Sequence, residues 1–111
     1  MGTRLSYSEL VKKLLQEYAD LYSEDSEHAL RPVFDDVHQS YLLLDTNWYG
    51  NEYIHHTPLH IDIINNKIWI QYDDTEEGIA TDLLEAGVPA QDIVLGFRPA
   101  ELRPYTEFAV A

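Results

Sequence analysis

The sequence predicts an α+β domain in which two helices cover one face of a four-stranded antiparallel sheet, followed by a short extended C-terminal segment. Apolar residues recur at three- and four-residue spacing near the N-terminus and again after residue 78, which is typical of amphipathic helices. Between these regions, short apolar segments separated by turn residues indicate antiparallel strands. The length of 111 residues supports a single domain over residues 1–111 with one modest core.

The first helix is predicted to begin at a capping box. Ser6 and Glu9 have the required spacing, so that the hydroxyl and the carboxylate each accept a hydrogen bond from a backbone N–H that the helix leaves free. The apolar side of the helix follows and consists of Tyr7, Leu10, Val11, Leu14, Leu15, Tyr18 and Leu21. We expect the helix to end near Tyr22, because residues 23–27 form an acidic, polar run.

Four strands are predicted in the middle of the chain, at residues 33–37, 41–49, about 53–64 and 67–72. The predicted turns are His38-Gln39-Ser40, Gly50-Asn51 and Asn65-Asn66. Pro58 lies inside the third strand and has no N–H to donate, which predicts an edge position or a bulge. Trp48 and Trp69 have apolar neighbours along their strands, and we expect both in the core.

The second helix is predicted from signals at both of its ends. Asp74 and Glu77 repeat the capping-box spacing, Gly87 fits the left-handed residue after a helix, and Pro89 prevents its continuation. Residues 93–97 are expected to form a short buried strand or an extended segment. The apolar residues 108–111 are expected to dock on this domain or on a partner.

The charge and composition of the chain exclude several classes of function. Twenty acidic residues against seven basic ones give a net charge of −13, which repels nucleic acid, so direct DNA binding is not expected. The absence of cysteine excludes disulfides and thiolate metal sites. No stretch approaches the roughly 20 apolar residues that a membrane helix needs. We therefore expect a cytoplasmic protein that binds other proteins, without a membrane contact.

The motifs HIDI at 60–63 and KIWIQ at 67–71 resemble the central signature of XisI-like proteins, the excision-controlling factors associated with the fdxN DNA element of cyanobacteria. Similar stretches follow at 74–80, 85–89, 92–97 and 103–111, so the resemblance covers essentially the whole chain. It implies an accessory role in the control of site-specific DNA excision, together with an XisH-like partner that looks related to nucleases. The resemblance supplies no catalytic residues.

A polar set on the third and fourth strands is the first candidate site. His60 and Asp62 share one face of their strand, and the hairpin at Asn65-Asn66 could bring Gln71 and Asp73 close to that face. Such groups could bind a divalent cation or activate water, so a small metal-dependent hydrolase is the alternative function. The simpler interpretation is a solvated polar face of an antiparallel sheet, without metal, cofactor or catalytic residues.

A second candidate site is a partner-binding surface formed by Arg98, Glu101, Arg103 and Tyr105. Arginine and tyrosine are common anchors at protein interfaces. The alternative is that this segment packs across its own domain. Open sheet edges and eight tyrosines also favour self-association, so the sequence predicts a homodimer. The resemblance implies an XisH-like partner. An enzyme is not expected, because the sequence has no nucleophile motif and no phosphate-binding glycine loop.

Overall fold

The computed structural model describes residues 5–22, 29–75 and 78–111. The elements in chain order are α1 (Tyr7–Tyr22), β1 (Arg31–Asp35), β2 (Ser40–Tyr49), β3 (Glu52–Ile64), β4 (Lys67–Asp73), α2 (Ile79–Glu85) and β5 (Ile93–Leu95). The strands form one sheet in the order β1-β2-β3-β4-β5. None of the helices in these residues is long and apolar enough to cross a membrane.

The α+β class is confirmed, but the predicted four-stranded antiparallel sheet is wrong in detail, because the sheet has five strands and is mixed. β5 lies parallel to β4, since α2 carries the chain back along the helix-covered face before it re-enters the sheet. Beyond β5, Ala109 forms a parallel bridge with Val94, and its N–H donates to the Ile93 carbonyl at 2.9 Å. The apolar tail therefore docks on its own domain.

The core lies between the two helices and one face of the sheet, as predicted. α1 contributes Val11, Leu15 and Ala19, and α2 contributes Ile79 and Leu83. The sheet contributes alternate residues of β2, β3 and β4 together with Ile93 of β5, among them Tyr41, Leu43, Leu59, Ile61, Ile63, Ile68, Ile70 and Ile93. Because the strands alternate, their intervening residues lie on the side of the sheet away from the helices, here called the outer face.

Local hydrogen bonds and turns explain where α1 begins, where β1 ends and how β3 and β4 are joined. The capping box of α1 is confirmed, since the Ser6 N–H donates to Glu9 Oε1 at 3.1 Å and the Glu9 N–H donates to Ser6 Oγ at 3.2 Å. β1 ends two residues earlier than predicted, because the Asp35 carboxylate accepts the N–H groups of Val37 and His38 and so starts the turn. Asn65 and Asn66 have φ of 51° and 62°, as a tight hairpin requires.

α2 begins at Ile79, whose N–H donates to Asp73 Oδ2 at 2.7 Å. A carboxylate from the end of β4 therefore caps α2, whereas Glu77 of the expected capping box lies outside the described residues, so that box stays a prediction. The end of α2 is confirmed. Gly87 has φ of 98°, and the Val88 N–H donates to the Leu83 carbonyl at 3.0 Å.

The bulge predicted at Pro58 is present in β3. The β2–β3 register moves from Leu43 opposite Leu59 to Asp45 opposite His56, so β3 contains one more residue than β2 in this interval. The bulge places the proline where no ladder hydrogen bond from its nitrogen is needed.

A second bulge lies in β4 and has the larger structural effect. His60 pairs with Tyr72 and Ile61 pairs with Ile70, so Gln71 is opposite no residue of β3. The extra residue reverses the alternation of side chains at the end of β4. Asp73 consequently points towards the helices, where it caps α2.

The two tryptophans are not core residues. Trp48 is 62% exposed near the end of β2, and Trp69 is half-buried on the outer face. The apolar neighbours that indicated burial, such as Leu42 and Leu44, lie on the same outer face. Alternation along β2 therefore marks its two faces correctly, but burial belongs to the face that carries Tyr41 and Leu43.

Phenol–carboxylate hydrogen bonds join α1 to α2 and β2 to the turn before it. Tyr18 of α1 donates to Asp82 of α2 at 2.7 Å, and Tyr41 of β2 donates to Asp36 in the β1–β2 turn at 2.8 Å. Burial, followed by the bond to Asp36, raises the pKa of Tyr41 to about 12. Burial and the bond to Asp82 also raise the pKa of Tyr18.

We expect Leu15→Ala to lower the free energy of unfolding by about 2–5 kcal/mol, because Leu15 is fully buried between α1 and the sheet and its truncation leaves a cavity. Urea unfolding followed by circular dichroism measures this change. The matched control is Leu21→Ala on the same helix, where a 62% exposed side chain predicts a change within about 0.5 kcal/mol. Equal effects of the two substitutions would contradict the packing of α1 described here.

We expect the free energy of unfolding to fall as the pH rises from 10 towards 12. Tyr18 and Tyr41 both have a raised pKa in the folded protein, so unfolded phenols ionise first and alkaline pH favours unfolding. Urea titrations at pH 8, 10 and 11 test this, and Tyr18→Phe should lessen the loss. A free energy of unfolding that stays constant over this range would refute the assignment.

Candidate functional site

The sheet brings four polar side chains together on its outer face. Ser40 stands opposite Asp62 in the β2–β3 register, His60 lies one step along β3 on the same face, and Gln71 bulges from β4 beside them. We call Ser40, His60, Asp62 and Gln71 the polar cluster. It contains three of the four residues that the sequence predicted for this site.

Asp62 is the centre of the polar cluster. Its Oδ1 accepts a hydrogen bond from Ser40 Oγ at 2.6 Å and lies 2.9 Å from His60 Nε2. Its Oδ2 accepts a hydrogen bond from Gln71 Nε2 at 3.2 Å. Both carboxylate oxygens therefore have protein partners, and the side chain of Asp62 is only 23% exposed.

Asp73, the fourth predicted residue of this site, lies apart from the polar cluster. The β4 bulge turns it to the helix side of the sheet, where its Oδ1 accepts the Thr75 N–H at 2.8 Å and its Oδ2 accepts the Ile79 N–H. Without the bulge, Gln71 and Asp73 would share a face. The sequence contains no turn residue that signals this bulge, which is why the prediction grouped them.

The polar cluster does not have the geometry of a Ser-His-Asp triad. In a Ser-His-Asp triad the two ring nitrogens of histidine contact the serine and the aspartate separately. Here the same Nε2 of His60 faces both Asp62 and Ser40, at 2.9 and 3.2 Å, and Ser40 donates to the carboxylate itself. Nor does any part of the chain that the structure describes bring three His, Asp or Glu side chains together as metal ligands.

Gly96 supports the polar cluster from the next strand, and sequence reasoning missed it along with Ser40. A Cβ atom at Gly96 would lie 2.7 Å from Gln71 Oε1 and 3.2 Å from both the Ile70 carbonyl oxygen and Trp69 Cε3. The missing side chain lets the end of β5 approach β4, and the Gly96 N–H donates to the Ile70 carbonyl at 2.8 Å. Only the parallel pairing of β5 with β4 reveals this contact.

The second predicted site lies in residues 96–111, here called the C-terminal segment. Its Arg103 packs on its own domain: the guanidinium carbon is 5.1 Å from the centre of the Trp69 ring, Nε donates to the Arg98 carbonyl and Nη1 donates to the Val110 carbonyl. Arg103 therefore holds two parts of the C-terminal segment against the outer face. For this residue the structure matches the intramolecular alternative.

The other three residues of this second site point outward. Tyr105 is 87% exposed, Glu101 is exposed, and the Arg98 guanidinium lies 5.3 Å from the centre of the Phe97 ring. Leu102 is 48% exposed beside them. The C-terminal segment thus presents aromatic, aliphatic and basic side chains to solvent while Arg103 anchors it from below.

Gly96→Ala tests the contact between β5 and the polar cluster. We expect it to lower the free energy of unfolding by about 1–3 kcal/mol, because the new methyl group displaces the Gln71 amide and presses on the β4 backbone. The same substitution in a Gln71→Ala background should cost less, since the flexible neighbour is gone. An equal cost in both backgrounds, measured by urea unfolding, would show that Gln71 does not occupy this position.

Comparison with known proteins gives a consistent set of relatives. Residues 1–110 match the family described as XisI protein. The crystal structure of a XisI-like protein from Anabaena variabilis is 37% identical with a TM-score of 0.88, and the match covers 95% of this chain and 96% of that one. The crystal structure of the fdxN element excision controlling factor XisI from Anabaena variabilis is 34% identical with a TM-score of 0.82, over 96% of both chains.

No protein with a curated description matched. The family match spans nearly the whole chain, and both related structures share the complete fold at more than 30% identity. The resemblance seen in the HIDI and KIWIQ motifs is thereby confirmed, and the chain belongs to the XisI family.

Proposed function

We propose that this chain is an accessory protein that controls site-specific DNA excision by binding other proteins, namely an XisH-like, nuclease-related partner and a second copy of itself. Membership of the XisI family and the likeness to an fdxN element excision controlling factor support the excision role. The same relatives support a regulatory rather than an enzymatic role. No observation favours the hydrolase alternative, given the geometry of the polar cluster.

The observation that carries the proposal is the contrast between the C-terminal segment and the rest of the chain. Residues 96–111 contain two basic and two acidic side chains, so the whole net charge of −13 lies elsewhere. Within this neutral segment Tyr105 is 87% exposed, and Phe97 and Leu102 are about half exposed. Exposed aromatic and arginine side chains in a region of low charge are typical anchors of a protein interface.

The acidic remainder of the surface has a different role in the proposal. A strongly negative protein attracts a basic partner at long range, which raises the association rate and makes it sensitive to salt. A nuclease-related partner that binds DNA phosphates would present such a basic surface. The acidic surface thus brings the partner close, and the C-terminal segment anchors it.

Co-purification with the XisH-like protein, followed by affinity measurement, tests the proposal. We expect a defined complex whose association slows with added salt, and we expect Tyr105→Ala to weaken it at least about 10-fold by removing an anchor. Val37→Ala is the control, because Val37 is equally exposed at 87% but lies in the β1–β2 turn. Arg103 is unsuitable for this test, since its loss would also disturb the contact with Trp69.

Two results would contradict the proposal, the first in its partner and the second in its binding surface. If no complex forms at low salt, the accessory role through this partner is wrong. If the complex forms but Tyr105→Ala and Val37→Ala have the same affinity as the unsubstituted chain, partner binding is real and the C-terminal segment is not its surface. Thermal unfolding of each variant confirms that the exposed substitutions leave the fold intact.

A further inference from the structure

The outer face also contains a group of apolar side chains that the helices do not cover. Leu42 and Leu44 alternate along β2 with the core residues Tyr41 and Leu43, so they point away from α1 and α2. Around them on the same side lie partly exposed or exposed side chains of the neighbouring strands. We call this set, which consists of Val33, Leu42, Leu44, Trp48, Tyr53 and Tyr72, the apolar patch.

The apolar patch extends onto a projecting part of the sheet. β1 pairs with residues 40–44 of β2, and β4 pairs with residues 59–64 of β3, so residues 45–56 form a two-stranded ribbon beyond both. Near its tip the rings of Trp48 and Tyr53 are 5.1 Å apart and are 62% and 49% exposed. The radius of gyration of 14.8 Å exceeds the roughly 13 Å of a compact chain of this length, consistent with a projection.

The charge of the outer face favours a second copy of this chain as the occupant. The outward positions of β1 to β4 carry two acids, Asp35 and Asp62, and two bases, Arg31 and Lys67. Two molecules with a charge of −13 repel each other unless they meet where charge is balanced. A strongly basic partner would gain nothing from this neutral face, whereas it would be attracted to the acidic helix side.

The edges of the sheet are poor sites for self-association, in contrast to the expectation from the sequence. β1 contains Pro32, which has no N–H to offer a further strand. At the opposite edge the C-terminal segment already lies against β5, through the bridge between Val94 and Ala109. Pairing between copies through added strands is therefore disfavoured at both edges, which leaves the face of the sheet.

We propose that two copies associate face to face through the apolar patch, a proposal that rests on the self-association included in the proposed function. Leu42 and Leu44 lie at the centre of the interface, and Trp48 and Tyr53 of each ribbon reach over the sheet of the other copy. The arrangement is isologous, with the two sheets roughly 10 Å apart. His60 lies between Leu42 and Tyr72 inside the patch, whereas Ser40, Asp62 and Gln71 lie one step further along the sheet, at the rim. Both C-terminal segments remain free to bind the excision partner.

Introduced cysteines test this interface cleanly, because the chain contains none. We expect maleimide labelling of Leu42→Cys to slow as protein concentration rises through the dimer range, since the interface covers the thiol. Labelling of Leu21→Cys on α1, where the native side chain is 62% exposed, should be independent of concentration. Light scattering on the unsubstituted chain gives the oligomeric state over the same concentrations.

Substitution by lysine provides the second measurement. Trp48→Lys places a charge in the interface at a position that is exposed in the single chain, so folding should be preserved. We expect it to raise the dimer dissociation constant at least about 10-fold, with no effect from the control Leu21→Lys. Affinity for the XisH-like partner should be unchanged by Trp48→Lys, because the C-terminal segment remains free.

Three results would contradict this inference. A dimer in which Leu42→Cys is labelled as fast as Leu21→Cys, and which Trp48→Lys leaves intact, would show that copies associate elsewhere and would overturn this inference alone. A chain that stays monomeric at all concentrations would overturn both this inference and the self-association on which it rests. If Trp48→Lys instead abolishes binding of the XisH-like protein, the apolar patch belongs to that partner and the inference is wrong.

Discussion

The one-residue bulge in β4 determines which polar side chains lie on each face of the sheet. It leaves Gln71 on the outer face, within hydrogen-bond distance of Asp62, and turns Asp73 to the inner face. There Asp73 accepts the first N–H of α2 and fixes where that helix begins. Because α2 returns the chain to β5, the position of Gly96 beside Gln71 also depends on the bulge. A regular strand would join Asp73 to the polar cluster and leave α2 without its cap.

Many carboxylates of this acidic chain have structural partners. Asp82 and Asp36 accept hydrogen bonds from Tyr18 and Tyr41, and Asp92 accepts one from Tyr7. The bonds of Tyr7 and Tyr18 join α1 to residues distant in sequence, and the bond of Tyr41 joins β2 to the turn just before it. A charge of −13 opposes compaction through self-repulsion. Hydrogen bonds between phenols and carboxylates offset part of this cost, because they are charge-assisted and lie at the margin of the core. The large number of tyrosines is thus explained in part by intramolecular bonding.

The distribution of charge separates the two surfaces that we propose for binding other proteins. The apolar patch on the outer face and the C-terminal segment are both close to neutral, whereas the acids concentrate around the helices and loops. Arg103, lying over Trp69, is the boundary between the two surfaces and holds the C-terminal segment in place. The proposed regulator, which would assemble with itself and with another protein, requires two such surfaces. Their separation allows one contact to be changed without the other.

Local sequence determined the features that depend only on neighbours in the chain: the capping box at Ser6, the Asn65-Asn66 turn, the end of α2 at Gly87 and the bulge at Pro58. Each follows from backbone sterics or from a missing N–H, which act over a few residues. The shared face of His60 and Asp62 follows equally from strand alternation. Only the tertiary structure decided the parallel fifth strand, the exposure of Trp48 and the roles of Ser40, Asp73 and Gly96. These depend on register between strands and on which face the helices cover, and both are set by packing between residues distant in sequence.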